Sequence, residues 1–246
     1  MVDPRISIVD ERLKSVHNII AVSSGKGGVG KSLTASTLAL ALAKRGYKTG
    51  LFDLDFTSPS THVILGIEDV KPKEDKGIIP PHVHGIAYMS IIYYSGEHAA
   101  PLRGADVSNA LIELLAITRW GELDFLIIDM PPGIGDATLD VIRLIKPIKF
   151  LIVTTSSQLA FETVKKLAKL LKDLKVQVVG VIENMKIGDS DFVRQETKSL
   201  GLQYLGEINF DPKIEDAIGN ANELLRSNFA RKIGEIASKL LFSLHL

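Results

Sequence analysis

The sequence predicts an α/β fold, with a mostly parallel sheet flanked by helices. Three observations carry this. Short, almost wholly apolar runs recur along the 246 residues. Amphipathic stretches of helical period lie between them. A glycine-rich segment joins the first run to the first helical stretch. Continuous apolar runs suit strands buried on both faces. Strand, helix, strand order gives parallel neighbours with right-handed crossovers.

Taken in order, Ile19-Ile20-Ala21-Val22 is the first strand and runs into the glycine-rich turn. Residues 31–45 read as a helix, with Ala35, Leu38 and Leu42 at helical spacing. Gly50-Leu51-Phe52, Phe125-Leu126-Ile127-Ile128, Phe150-Leu151-Ile152-Val153 and Val178-Val179-Gly180-Val181-Ile182 are further strands. Between the last two, residues 158–174 form a helix. Val164, Leu167, Leu171 and Leu174 share its apolar face. Residues 226–244 are helical, with Phe229, Ile233, Ile236 and Leu240 expected to pack on the core rather than on a membrane. Residues 9–16 are a short helix candidate, free to dock a partner. In 66–85, Pro72, Gly77, Pro80, Pro81 and Gly85 mark an irregular loop. No repeat or linker interrupts the chain, so 1–246 is expected to be one domain.

Composition narrows the function. There are 29 basic and 29 acidic residues, so no net charge draws the surface to nucleic acid or an acidic membrane. The absence of cysteine excludes disulfides, thiolate metal sites and a catalytic thiol. The first residues hold no apolar signal core, and no apolar run approaches the ~18–20 residues of a membrane helix. A soluble, cytoplasmic protein is expected.

The strongest motif is Gly25-Lys26-Gly27-Gly28-Val29-Gly30-Lys31-Ser32, which fits G-x-x-x-x-G-K-S/T between a strand and a helix. Glycines let the backbone wrap closely and aim N–H groups at phosphate oxygens. The helix N-terminus adds positive dipole there. Lys31 is expected to reach the β/γ-phosphates, and Ser32 to ligate Mg²⁺. Carboxylates follow the neighbouring strands in Asp53-Leu54-Asp55 and at Asp129. An Asp ending an apolar strand beside a phosphate loop suits magnesium. Asp136 is open to two readings, functional carboxylate or helix N-cap before Ala137-Thr138-Leu139.

Lys26, a second lysine within the loop, resembles the deviant Walker A motif of the Mrp/MinD/ParA family of P-loop ATPases. Asp129-Met130-Pro131-Pro132-Gly133-Ile134-Gly135-Asp136 resembles the D-M-P-P-G-T/I-G-D motif of its Mrp-type branch. Arg103-Gly104, Glu183-Asn184-Met185 and Asp211-Pro212 resemble further segments of that branch. The likeness runs from about Asn18 to Leu225. It implies an ATP/ADP- and Mg²⁺-binding ATPase that forms a homodimer in the ATP state. Lys26 would reach the partner's phosphates, and Asp55 would position the attacking water. Asp53 would help organise Mg²⁺ with Ser32 and Asp129. Asn184 would bind adenine, with Pro212 lining the same pocket.

Departures matter as well. Leu33 stands where many relatives have a second Ser/Thr facing the α-phosphate. Lys186-Ile187-Gly188-Asp189-Ser190-Asp191 replaces the C-x-x-C segment of Mrp-type iron–sulfur carriers. A cysteine-free member resembles the archaeal ATPases that insert nickel during nickel–iron hydrogenase maturation. Nickel delivery with a small metallochaperone partner is therefore the expected function. The alternatives are a MinD/ParA-like positioning ATPase and a cysteine-independent Mrp-type iron–sulfur assembly factor. His82-Val83-His84 could set two imidazoles on one side of an extended segment, or be solvated loop residues.

Overall fold

The computed structural model describes residues 3–95 and 105–246. In chain order the elements are α1 (Arg5–Leu13), β1 (Val16–Ser23), α2 (Lys31–Lys44), β2 (Thr49–Asp53), α3 (Thr61–Leu65), β3 (Lys73–Glu74), β4 (Ile78–Ile79), β5 (His82–Val83), β6 (Ile86–Ser90) and α4 (Ile92–Ser95). They continue with α5 (Ala105–Ile117), β7 (Leu123–Asp129), α6 (Asp136–Leu144), β8 (Ile148–Thr154), α7 (Gln158–Asp173), β9 (Gln177–Lys186), α8 (Phe192–Ser199), β10 (Tyr204–Asn209), α9 (Ala221–Arg226) and α10 (Asn228–Ser243).

Among the described residues the main sheet runs β10-β9-β8-β1-β7-β2-β6-β5. Its pairings are parallel except at β5, which lies antiparallel on β6. Side chains of β1 alternate between two cores. Ile19 and Ala21 join one and Ile20 and Val22 the other, all 0–1% exposed. This two-sided burial is why the central strands are almost wholly apolar. Leu111 and Leu115 of α5, Leu144 of α6 and Leu167 of α7 complete the first core. Leu38 of α2, Leu224 of α9 and Ile233 of α10 complete the second.

The expected strands and long helices are present, with some corrections. The N-terminal helix lies earlier than residues 9–16, because Val16 already belongs to β1. Nor is it free. Val9 and Leu13 are buried, and the Arg12 Nε donates to the Ala116 carbonyl at 3.0 Å. Residues 66–85 are not wholly irregular: Lys73 pairs with Ile79, Glu74 with Ile78, and His82 with Ala87. The α10 face of Phe229, Ile233, Ile236 and Leu240 is buried in the core. Arg103-Gly104 lies outside the described residues. Among those described, no helix is long and apolar enough to cross a membrane.

Candidate functional site

Strand β1 sits between β8 and β7, so the chain leaves it at a point where strand order reverses. Open α/β sheets bind ligands in the crevice beyond the carboxyl ends at such a point. Residues 24–30 fill that position. Gly28 and Gly30 have φ of +76° and +79°, a region that side chains disfavour. At Gly30 a Cβ would also fall 2.2 Å from Asn184 Nδ2. Gly25 packs against Thr163 of α7. Val29 is buried in the core and anchors the loop, whereas Lys26, Gly27 and Gly28 are exposed. Among the described residues Lys26 has no salt-bridge partner.

The loop is braced from both sides. Ser24 Oγ donates to the Lys26 carbonyl, and Thr34 Oγ1 to the Gly30 carbonyl, both at 2.9 Å. The Gly133 amide donates to the Ser24 carbonyl at 3.0 Å, tying the Pro131-Pro132 turn to the loop.

Strand register brings the carboxylates in. Asp129 pairs with Val22 of β1 on one side and with Asp53 of β2 on the other. Lys31 Nζ lies 2.5 Å from Asp129 Oδ1 and 3.1 Å from Ser32 Oγ. Both members of the ion pair are buried, at 7% and 0% exposure. Asp129 Oδ2 is buried without a hydrogen-bond partner among the described residues. Burial pushes the Asp129 carboxyl up to about 7; Lys31 opposes the shift and the Asp53 charge adds to it.

Both oxygens of Asp53 accept hydrogen bonds from within the protein. Oδ1 accepts from the Asp55 amide at 3.1 Å. Oδ2 accepts from the Thr61 amide at 3.2 Å and the Thr61 hydroxyl at 2.6 Å. Burial raises its pKa despite these bonds. Asp55 is arranged differently. Its Oδ1 accepts from Thr57 Oγ1 at 2.8 Å and from the Thr57 and Ser58 amides, while Oδ2 has no partner among the described residues.

Farther along the crevice, Asn184 Nδ2 donates to the Val29 carbonyl at 2.9 Å. Asn184, Pro212 and Leu33 line one cavity of about 180 Å³, with Phe210 and Phe229. The two residues expected to hold a base, 28 positions apart in sequence, thus share a pocket next to the loop. Leu33 gives that pocket an apolar wall.

Geometry decides against one of the alternatives left open for Asp136 and for the His82–His84 pair. Asp136 is not an N-cap: Gly135 holds that position, and Asp136 is the first helical residue, where its charge faces the positive end of α6. His82 and His84 do not share one side of a strand. His84 has φ of +51°, and its Nε2 contacts the Leu65 carbonyl at 2.9 Å, while His82 stays exposed on β5. Among the described residues no cluster of three or more His, Asp or Glu side chains could hold a metal ion. Sequence reasoning missed Thr61 and Tyr88. Thr61 Oγ1 lies 2.9 Å from the Tyr88 hydroxyl, so β6 supports the Asp53 network. No motif marks either residue.

Comparison with known proteins places the chain in a family. Residues 15–244 match the family model for the NUBPL iron-transfer P-loop NTPases of the ParA group. The chain is 38% identical over 226 residues to an iron–sulfur cluster carrier protein of Saccharolobus solfataricus, covering 85% of this chain and 76% of that one. A carrier protein of the same name from Pseudomonas fragi is 42% identical over 179 residues, 71% of this chain. The chain spans 62% of that relative's length. A nucleotide-binding protein of Archaeoglobus fulgidus, solved in complex with ADP, superposes with a TM-score of 0.78 at 30% identity, covering 92% and 95% of the two chains. These relatives overturn the expectation of nickel delivery and of a nickel metallochaperone partner. That expectation rested on the missing cysteines, and such relatives are iron–sulfur carriers. The phosphate loop, the paired lysine and the matched residues together show that the chain belongs to the NUBPL iron-transfer P-loop NTPase family.

Proposed function

We propose that this chain is a magnesium-dependent ATP hydrolase, acting as a nucleotide-switched homodimer in iron–sulfur cluster assembly. The observation that carries the reading is the buried Lys31–Asp129 pair beside Ser32 at the foot of the glycine loop. A lysine held there is close to where terminal phosphates enter, and a triphosphate draws it away from Asp129.

The residues present fit magnesium. Ser32 and Asp129 offer oxygen donors, and Asp129 Oδ2 is buried with no other partner among the described residues. Bound there, the ion neutralises charge on the β- and γ-phosphates. The protein's own groups do the rest. Backbone amides of residues 27–32 cradle the phosphates. Asp55 keeps Oδ2 free to accept a hydrogen bond from the attacking water, while its Oδ1 fixes the carboxylate in place. Asn184 and Pro212 hold the adenine. Lys26, exposed and unpaired, reaches the terminal phosphates of the partner subunit. With no cysteine in its 246 residues, the chain supplies no thiolate. It acts on cluster transfer by switching state, with thiolates supplied by other molecules.

Phosphate release from Mg-ATP tests the chemistry. Asp55→Ala is expected to lower the rate by ~10²-fold or more while nucleotide still binds. Undiminished release refutes the role of Asp55. Acceleration of cluster transfer from a thiol-ligated donor to an apo-ferredoxin, with ATP but not ADP, tests the pathway.

A further inference from the structure

The cavity lined by Asn184 and Pro212, about 180 Å³, is smaller than the ~300–1,000 Å³ of sites that hold whole ligands. It suits one part of a nucleotide. The charged residues on its lining, Asp211 and Glu215, are both acidic, so this end of the crevice repels phosphate and favours an uncharged base.

Apolar side chains with accessible surface surround it. Phe210 is 55% exposed, Pro212 is exposed, and Leu33, Met185 and Ile214 are half-buried. A single exposed apolar residue needs no explanation, but these gather around one cavity, where a flat ring system would cover them. Two aromatic rings belong to the lining. Phe229 is buried in the core, which leaves Phe210 as the accessible one.

The backbone on both sides of that ring is held. The Phe210 amide donates to the Lys186 carbonyl at 3.0 Å, at the end of β9. The next residue, Asp211, accepts from the Lys213 amide at 3.0 Å and caps the 3-10 turn Pro212–Ala217. Met185 has φ of +53°, a region that side chains disfavour, and its Cε would lie 3.5 Å from a Cβ placed on Gly30. Its side chain therefore reaches the phosphate loop as well as the cavity. Backbone strain of this kind clusters at ligand clamps.

We propose that Phe210 is a specificity-determining residue, whose ring stacks on the nucleobase and gives the site a preference for purines over pyrimidines. The proposal rests on the nucleotide reading above. Stacking needs a π-face rather than a hydrogen-bonding edge, so it follows ring area and accepts either purine. Isothermal titration calorimetry of the full chain with ADP, UDP and pyrophosphate, each with magnesium, tests it. Wild type is expected to bind ADP more tightly than UDP. Phe210→Ala weakens ADP by ~10-fold and UDP by ~3-fold or less, while pyrophosphate, which has no base, stays within ~2-fold of wild type. Phe210→Trp keeps ADP within ~2-fold of wild type or tighter, because it restores a π-face. ADP binding in Phe210→Ala within ~2-fold of wild type, an equal loss for all three ligands, or a Phe210→Trp variant as weak as Phe210→Ala overturns the proposal. If wild type binds neither ADP nor pyrophosphate, the nucleotide reading fails and the stacking role falls with it. If it binds both and Phe210→Ala leaves ADP unaltered, only the stacking role falls.

Discussion

Replacing Asp129 by asparagine strands Lys31. The ammonium lies 2.5 Å from its counter-ion, with both side chains almost wholly buried. Removing one member of a buried ion pair costs about 3–5 kcal/mol, because the remaining charge stays desolvated. Asparagine still offers an amide oxygen to Nζ, so the lower end, about 3 kcal/mol, is expected. The converse change, Lys31→Met, behaves differently. Burial has already pushed the Asp129 carboxyl up to about 7, so it takes a proton once the ammonium is gone. A neutral carboxyl costs less to bury, and the expected loss is about 1–2 kcal/mol. Urea unfolding of the three proteins at pH 7 reads this asymmetry. ADP without magnesium should then bind Asp129→Asn more tightly than wild type, since no ion pair has to open. At 100 times its Kd, ADP restores about 2.7 kcal/mol. Equal losses in the two variants, or an Asp129→Asn variant within about 1 kcal/mol of wild type, would refute the argument that a buried charge is left unpaired.

Three further substitutions probe other parts of the molecule. Gly30→Ala forces a side chain into the left-handed region and against Asn184. It should cost about 2–3 kcal/mol in urea unfolding, and a loss within about 0.5 kcal/mol would mean that the loop relaxes freely. Lys26→Ala alters an exposed side chain with no salt bridge, so stability should stay within about 0.5 kcal/mol. ATP-dependent dimerisation, followed by sedimentation velocity, should be lost, and an unaltered dimer refutes the cross-subunit role. Glu207 is held below its ordinary pKa, first by the hydrogen bond from Lys186 at 2.7 Å. Its stabilising contribution is complete above the unfolded value near 4.5 and fades as pH falls through the depressed folded one. Wild type and Glu207→Gln should therefore converge in stability toward low pH, and parallel curves would show that the pair contributes nothing.

Much of this was written plainly in the residues. β1, β7 and β8 are buried on both faces, so they read as continuous apolar runs. The loop carries its glycines, lysine and serine consecutively, and the roles of Gly28 and Gly30 follow from backbone geometry alone. Other elements left weaker marks. In β6, Ile86-Ala87-Tyr88-Met89-Ser90 mixes small and polar residues, although all five are buried. β10 lies at the sheet edge, with Gly206 and irregular register against β9. The pairing of Lys31 with Asp129 spans 98 positions, and only strand order brings the two together. The Tyr88–Thr61–Asp53 chain joins three elements that no local pattern relates. The nickel expectation erred because missing thiols constrain how a cluster is held, not which metal chemistry a relative serves.

Asn184 links two ends of the crevice. One amide group both forms a wall of the cavity proposed for the base and fastens the Val29 carbonyl of the phosphate loop. Redesigning nucleobase preference at that position would therefore also slacken the grip on the polyphosphate tail. On the proposed reading, a variant selected to accept guanine would carry an affinity penalty unless a second change restored a donor for the Val29 carbonyl.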